Sequence, residues 1–186
     1  MLKASRAVFA KLAPGVDWVE CHKLAERTIL EGLVSLGCLN GSVDEMMEKR
    51  LGFIFMPHGL GHFIGLDVHD VGGYLPHTPK RHQQPGLANL RTARVIEAGN
   101  VITIEPGCYF RDFLLDGDVP NEFYSFDLSY LNREKIREYQ AEISGVRIED
   151  CVLITSTGNE NLSYDIPRTV SQIEACMAKQ ENWRNM

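Results

Sequence analysis

The sequence predicts an α+β domain in which helices pack against one face of a curved sheet. Three observations carry this. Helical signals cluster early, before Arg50, whereas short β-branched strand signals come late, at Val101–Ile104 and Val146–Ile154. At 186 residues and 44% apolar, the chain has the length and composition of one domain. A chain of this size buries roughly 70% of its unfolded surface.

Each element has its own local reason. Residues 4–12 repeat apolar side chains with helical period, and Pro14-Gly15 breaks the run. Asp17 is placed to cap a second helix carrying Leu24, Ile29, Leu30, Leu33 and Leu36, which Gly37 ends. Ser42 and Glu45 stand in capping-box register for a third helix reaching Arg50. From Phe53 to Tyr74 the pattern changes to short apolar pieces cut by Gly59, Gly61, Gly65, Gly72 and Gly73, as expected where backbone approaches a ligand closely. Leu75 to Gln84 reads as an exposed loop, with Pro76 and Pro79 as breakers and His77 and His82 solvated. Val101–Ile104 and Val146–Ile154 read as strands, Asn132–Glu142 as a charged helix, and Val170–Met177 as a short final helix.

The chemistry concentrates in His58-Gly-Leu-Gly-His62-Phe-Ile-Gly-Leu-Asp-Val-His69, three imidazoles in one Gly-rich segment. Two glutamates lie in or beside strands, Glu105 before Pro106-Gly107 and Glu149 within Val146-Arg-Ile-Glu-Asp150. One imidazole and two carboxylates make a hard N/O donor set suited to manganese, zinc, cobalt or iron. Each has a plainer reading: alone, His62 is a hydrogen-bonded structural histidine and Glu105 a strand-end carboxylate facing water. Glu149 and Asp150 are adjacent on a strand, so only one faces a site. Arg147 shares Glu149's face and is placed to orient that carboxylate.

Phe55–Tyr74, Leu90-Arg-Thr-Ala-Arg94, Thr103–Phe110, Gly145–Asp150 and Pro167-Arg-Thr-Val170, taken in order, resemble the C-terminal half of the Xaa-Pro dipeptidases (prolidases), which are pita-bread metallopeptidases. The resemblance runs from about Ser5 to Met177. It implies a pita-bread fold with a curved, mainly antiparallel sheet, here one partial catalytic domain spanning residues 1–186. It further implies that His62 and Glu105 bind one of two metals and that Glu149 bridges both. Two aspartate ligands would come from an upstream hairpin, and this chain is expected to begin after that hairpin and after an N-terminal domain. His58 and His69 would line the substrate pocket, with His69 donating to charge that develops at the scissile carbonyl. Arg91 would bind the free carboxylate of a dipeptide, with Arg94 its nearest competitor. Glu105 would shuttle the proton of the attacking water. Cys108 is expected to serve packing.

Asp116 and Asp127, with Asp118 and Tyr124 between, reproduce the aspartate spacing of the upstream hairpin. They follow Glu105 instead of preceding His62, and Pro120 and Asn121 mark a solvated irregular loop.

Net charge of −6 and a pI near 5.5 argue against a nucleic-acid partner. No apolar run approaches the roughly 20 residues of a membrane span. Five scattered cysteines without a Cys-x-x-Cys pair point to free thiols and the cytoplasm. The functional expectation is metal-dependent hydrolysis of Xaa-Pro dipeptides by a complete, homodimeric enzyme using manganese, with zinc or cobalt as alternatives. This chain alone is expected to be inactive and to hold at most about one ion. The competing expectations are a non-catalytic pita-bread binding scaffold and a mononuclear metal-binding module.

Overall fold

The computed structural model describes residues 1–117 and 126–179. Helices α1 (Leu2–Lys11) and α2 (Trp18–Ser35) open the chain and pack on each other. The Asp17 carboxylate accepts from Val19 N at 2.7 Å and caps α2, as the sequence predicts. The third helix, α3 (Val43–Glu48), is capped by Ser42, and Arg50 then turns into the left-handed region at φ 55°. The long connection that follows is not peripheral. Leu51 to Met56 are all buried, and they fill the space beneath α2.

Strands β1 (Val101–Ile104), β4 (Asp150–Ile154) and β5 (Asn159–Asn161) form an antiparallel sheet in the order β1-β4-β5. Strands β2 (Gly107–Tyr109) and β3 (Gly145–Arg147) form a separate antiparallel pair. Val146–Ile154, predicted as one strand, is therefore split at Ile148-Glu149 between two sheets. The cause lies on the partner. Pro106 has no N–H to donate, so the ladder is interrupted opposite that point. Between the strands, α4 (Asp112–Leu115) is a single turn that the sequence reading lacks, and α5 (Arg133–Glu142) is capped by Asn132. The final helix α6 (Val170–Met177) carries a full capping box between Thr169 and Gln172. The core joins Val8 and Leu12 of the α1 segment, Ile29, Leu30 and Leu33 of α2, and Ile102, Ile104, Val152 and Ile154 of the sheet.

Helix α2 also buries a polar stripe. His22 and Glu26 are one turn apart and fully enclosed, and the Glu26 carboxylate receives Arg50 Nη2 at 2.6 to 2.7 Å. Arg50 Nε donates to Pro85 O at 3.2 Å, so the cluster ties α2 to the loop entering the Leu87–Asn89 turn. All five cysteines are free thiols, and burial pushes Cys108 up to about 12, which fits the packing role expected of it. No helix among the described residues is long and apolar enough to cross a membrane.

Candidate metal centre

The register of the sheet brings two carboxylates together. Strands β1 and β4 pair Val101 with Leu153 through to Ile104 with Asp150. One step further along that register, Glu105 faces Glu149. Beyond the interruption the same register resumes as Gly107 opposite Arg147. The two glutamates thus stand at the gap in one antiparallel pair, where Ile148 N reaches Pro106 O at 3.3 Å.

The imidazole arrives from the other edge of β1. The backbone of residues 60–64 pairs with it through Glu105 N to Leu60 O (2.8 Å), Thr103 N to His62 O (2.9 Å) and Ile64 N to Val101 O (3.1 Å). Gly61 permits this approach, since a Cβ there would lie 1.9 Å from Thr103 O. His62 Nδ1 donates to Phe63 O at 2.8 Å, which leaves Nε2 as the lone-pair nitrogen of the neutral ring, 3.3 Å from Glu105 Oε1.

His62, Glu105 and Glu149 offer ligand atoms that all lie within 4.8 Å of one another, and no other such group of three or more occurs among the described residues. A lone pair facing a carboxylate oxygen, with a second carboxylate beside it, is repulsive unless a cation or proton lies between. Burial raises Glu105 above the ordinary carboxylate range, and the Glu149 charge adds to this. Thr103 and Arg147 pull the other way, as would a positive charge on His62. The donor set therefore fits a divalent ion.

Around these donors is a cavity of about 330 Å³, whose walls include His58, His69, Asn89, Arg91 and Arg147 together with His62 and Glu105. His69 is exposed and meets the His62 ring edge-on, centroids 4.3 Å apart. Arg91 is exposed and its guanidinium makes no hydrogen bond among the described residues. Arg94 is committed elsewhere, to Gly72 O (3.1 Å) and Glu97 (2.9 Å). The cavity therefore favours Arg91 over Arg94 as the group open to a ligand anion. Arg147 departs from expectation. It pairs with Glu105 at 3.1 Å and with the Tyr109 hydroxyl at 2.6 Å, not with Glu149, because the β2–β3 register sets it opposite Gly107.

His58 Nδ1 donates to Gly59 O at 2.8 Å, while Nε2 is buried without a partner. Burial lowers its pKa to about 4. The imidazole should therefore stay neutral at pH 5 in the metal-free chain, as two-dimensional NMR of the ring resonances would record. An ordinary titration near pH 6.5 would contradict the enclosure seen here. Because the unfolded imidazole protonates first, stability should be complete above pH 6.5 and fall as pH drops toward 4. The loss at pH 5 is about 2 kcal/mol from this group.

Sequence reasoning passed over Thr103, Tyr109 and Asn89. Thr103 Oγ1 donates to Glu105 Oε1 at 3.0 Å, and the two-residue spacing on one strand face was the available signal. The Tyr109 ring packs edge-on against His58 at 5.5 Å. Asn89 donates to Pro57 O at 2.9 Å from just outside the motif at Leu90. The alternative aspartates are occupied locally: Asp116 by Arg133 and Arg137, Asp127 by Lys49. Asp118, Pro120, Asn121 and Tyr124 lie outside the described residues.

Comparison with known proteins follows the same lines. Residues 1–156 match metallopeptidase family M24. Xaa-Pro dipeptidase of Homo sapiens is 51% identical over 96% of this chain and 35% of its own length, and that of Rattus norvegicus is 49% identical over the same shares. Aminopeptidase PepP of Pseudomonas aeruginosa superposes with a TM-score of 0.67 at 36% identity, covering 96% of this chain and 33% of that one. A Zn-substituted aminopeptidase P of E. coli in complex with product gives 0.67 at 33% identity over 96% and 32%. The chain spans about a third of the length of the relatives it matches.

Proposed function

From its membership of metallopeptidase family M24, whose pita-bread fold it has, we propose that this chain carries the metal-binding and carboxylate-binding part of an Xaa-Pro dipeptidase active site. The observation that carries the reading is the convergence of His62, Glu105 and Glu149, the first two of which line a cavity that also presents Arg91. His62 Nε2 and the two carboxylates would hold the divalent ion. When bound, such an ion lowers the pKa of a water and polarises the peptide carbonyl. Glu105 would take up the water's proton on a carboxylate oxygen. His69 donates to the oxygen on which charge develops, and the Arg91 fork clamps the substrate's C-terminal carboxylate. His58, backed by the Tyr109 ring, walls the space for the proline ring, whose amide has no N–H for docking.

Manganese is the ion we assign, because an N/O donor set without thiolate suits it, with zinc or cobalt as alternatives. The free thiols support a reducing compartment, which we take as the cytoplasm, and the whole enzyme as a homodimer.

The specificity assignment has a direct test in a chain that contains these residues and turns over an Xaa-Pro dipeptide. Arg91→Ala should lower kcat/KM on the order of 30- to 150-fold with metal content unchanged, as expected for loss of one charge-assisted bidentate contact. The loss should be much smaller on a substrate amidated at its C-terminus. Equal losses on both substrates, or the full effect in Arg94→Ala, would remove the role from Arg91.

A further inference from the structure

We propose that Arg168 is a positioning residue for the Glu149 carboxylate, acting through Asp150. The inference rests on the metal reading of His62, Glu105 and Glu149 and adds a residue that the cavity does not contain.

Asp150 is 4% exposed and is the last residue of the β1–β4 ladder, opposite Ile104. Glu149 precedes it in the two-residue gap between β3 and β4, where a single long backbone bond, Ile148 N to Pro106 O at 3.3 Å, ties the chain to its partner. On its β4 side, the direction of Glu149 is set by how firmly Asp150 is held. Asp150 Oδ2 accepts Arg168 Nε at 3.1 Å, and Oδ1 accepts Arg168 Nη2, Asn161 Nδ2 (2.9 Å) and Ser163 Oγ (3.2 Å). This is a bidentate fork with both carboxylate oxygens occupied.

Arg168 is itself held at both ends. Its guanidinium also donates to Ser163 O (2.7 Å) and to Ile166 O. Its backbone N–H donates to Gln172 Oε1 at 3.2 Å, joining it to the capping box that starts α6. Adjacent strand residues point to opposite faces, so Asp150 turns toward Arg168 while Glu149 turns toward His62 and Glu105. A rigid bond network on one face thus fixes the rotation of the strand that presents the ligand on the other. In metal sites, groups that orient a ligand are worth 10- to 100-fold in affinity.

The test is Mn²⁺ affinity by titration, with the Mn²⁺ EPR spectrum at saturation and thermal unfolding of the metal-free chain recorded in parallel. Arg168→Ala should weaken binding about 10- to 100-fold per folded molecule and change the spectrum. Arg168→Lys keeps the charge but not the fork and should lose about 3- to 10-fold. If Arg168→Ala does not fold, the lysine variant decides. A variant that melts earlier yet binds Mn²⁺ within threefold of the unaltered chain, with an unchanged spectrum, would mean that Arg168 only stabilises the fold and would overturn the proposal. Glu149→Gln separates the two readings. Its failure to weaken binding would overturn the metal assignment itself and the Arg168 role with it.

Discussion

His62→Ala is expected to weaken Mn²⁺ binding by at least about 100-fold, equivalent to about 2.7 kcal/mol, because the variant removes the one nitrogen donor of the group. The ring is pre-oriented. Nδ1 is fixed on Phe63 O, Nε2 points at Glu105, and the segment is pinned to β1 by three backbone bonds. Little ordering entropy is left for the ion to overcome, so the loss falls on the donor itself. Isothermal titration of the two proteins checks this, and a loss below threefold would place the ion elsewhere.

Glu26→Ala should be the most destabilising single change, costing about 3 to 5 kcal/mol, since it strands the Arg50 guanidinium in the interior. For a chain of this length that is a fall in melting temperature of roughly 10 °C. Replacing both partners, as in Glu26→Leu with Arg50→Met, should recover most of the loss because neither charge then needs a partner. Chemical denaturation of the three variants checks the order. A single variant no worse than the double would show that the pair is not desolvated.

The helices other than α4 were legible because their causes are local. Asp17, Ser42 and Asn132 cap from within a few residues, and periodic apolar positions mark the buried face of α2. What the sequence hid were effects of a partner distant in the chain. The strand over Val146–Ile154 is divided by Pro106, some forty residues earlier, and that same division sends Arg147 to Glu105 instead of Glu149. His22 and Glu26 look like an ordinary surface pair at one-turn spacing. Only the burial of Leu51 to Met56 beneath α2 puts them inside. The candidate ligands were named through the resemblance, whereas their convergence follows from the register that carries Ile104 opposite Asp150 one step further to Glu105 and Glu149.

The central claim is that one divalent ion binds between these three side chains. It is met most directly by crystals grown with Mn²⁺ and measured at the manganese absorption edge. The account predicts one anomalous peak per chain, about 2.0 to 2.2 Å from His62 Nε2 and from an oxygen of each of Glu105 and Glu149. No peak between these residues at saturating Mn²⁺, or a peak at Asp116 or Asp127 instead, would contradict it.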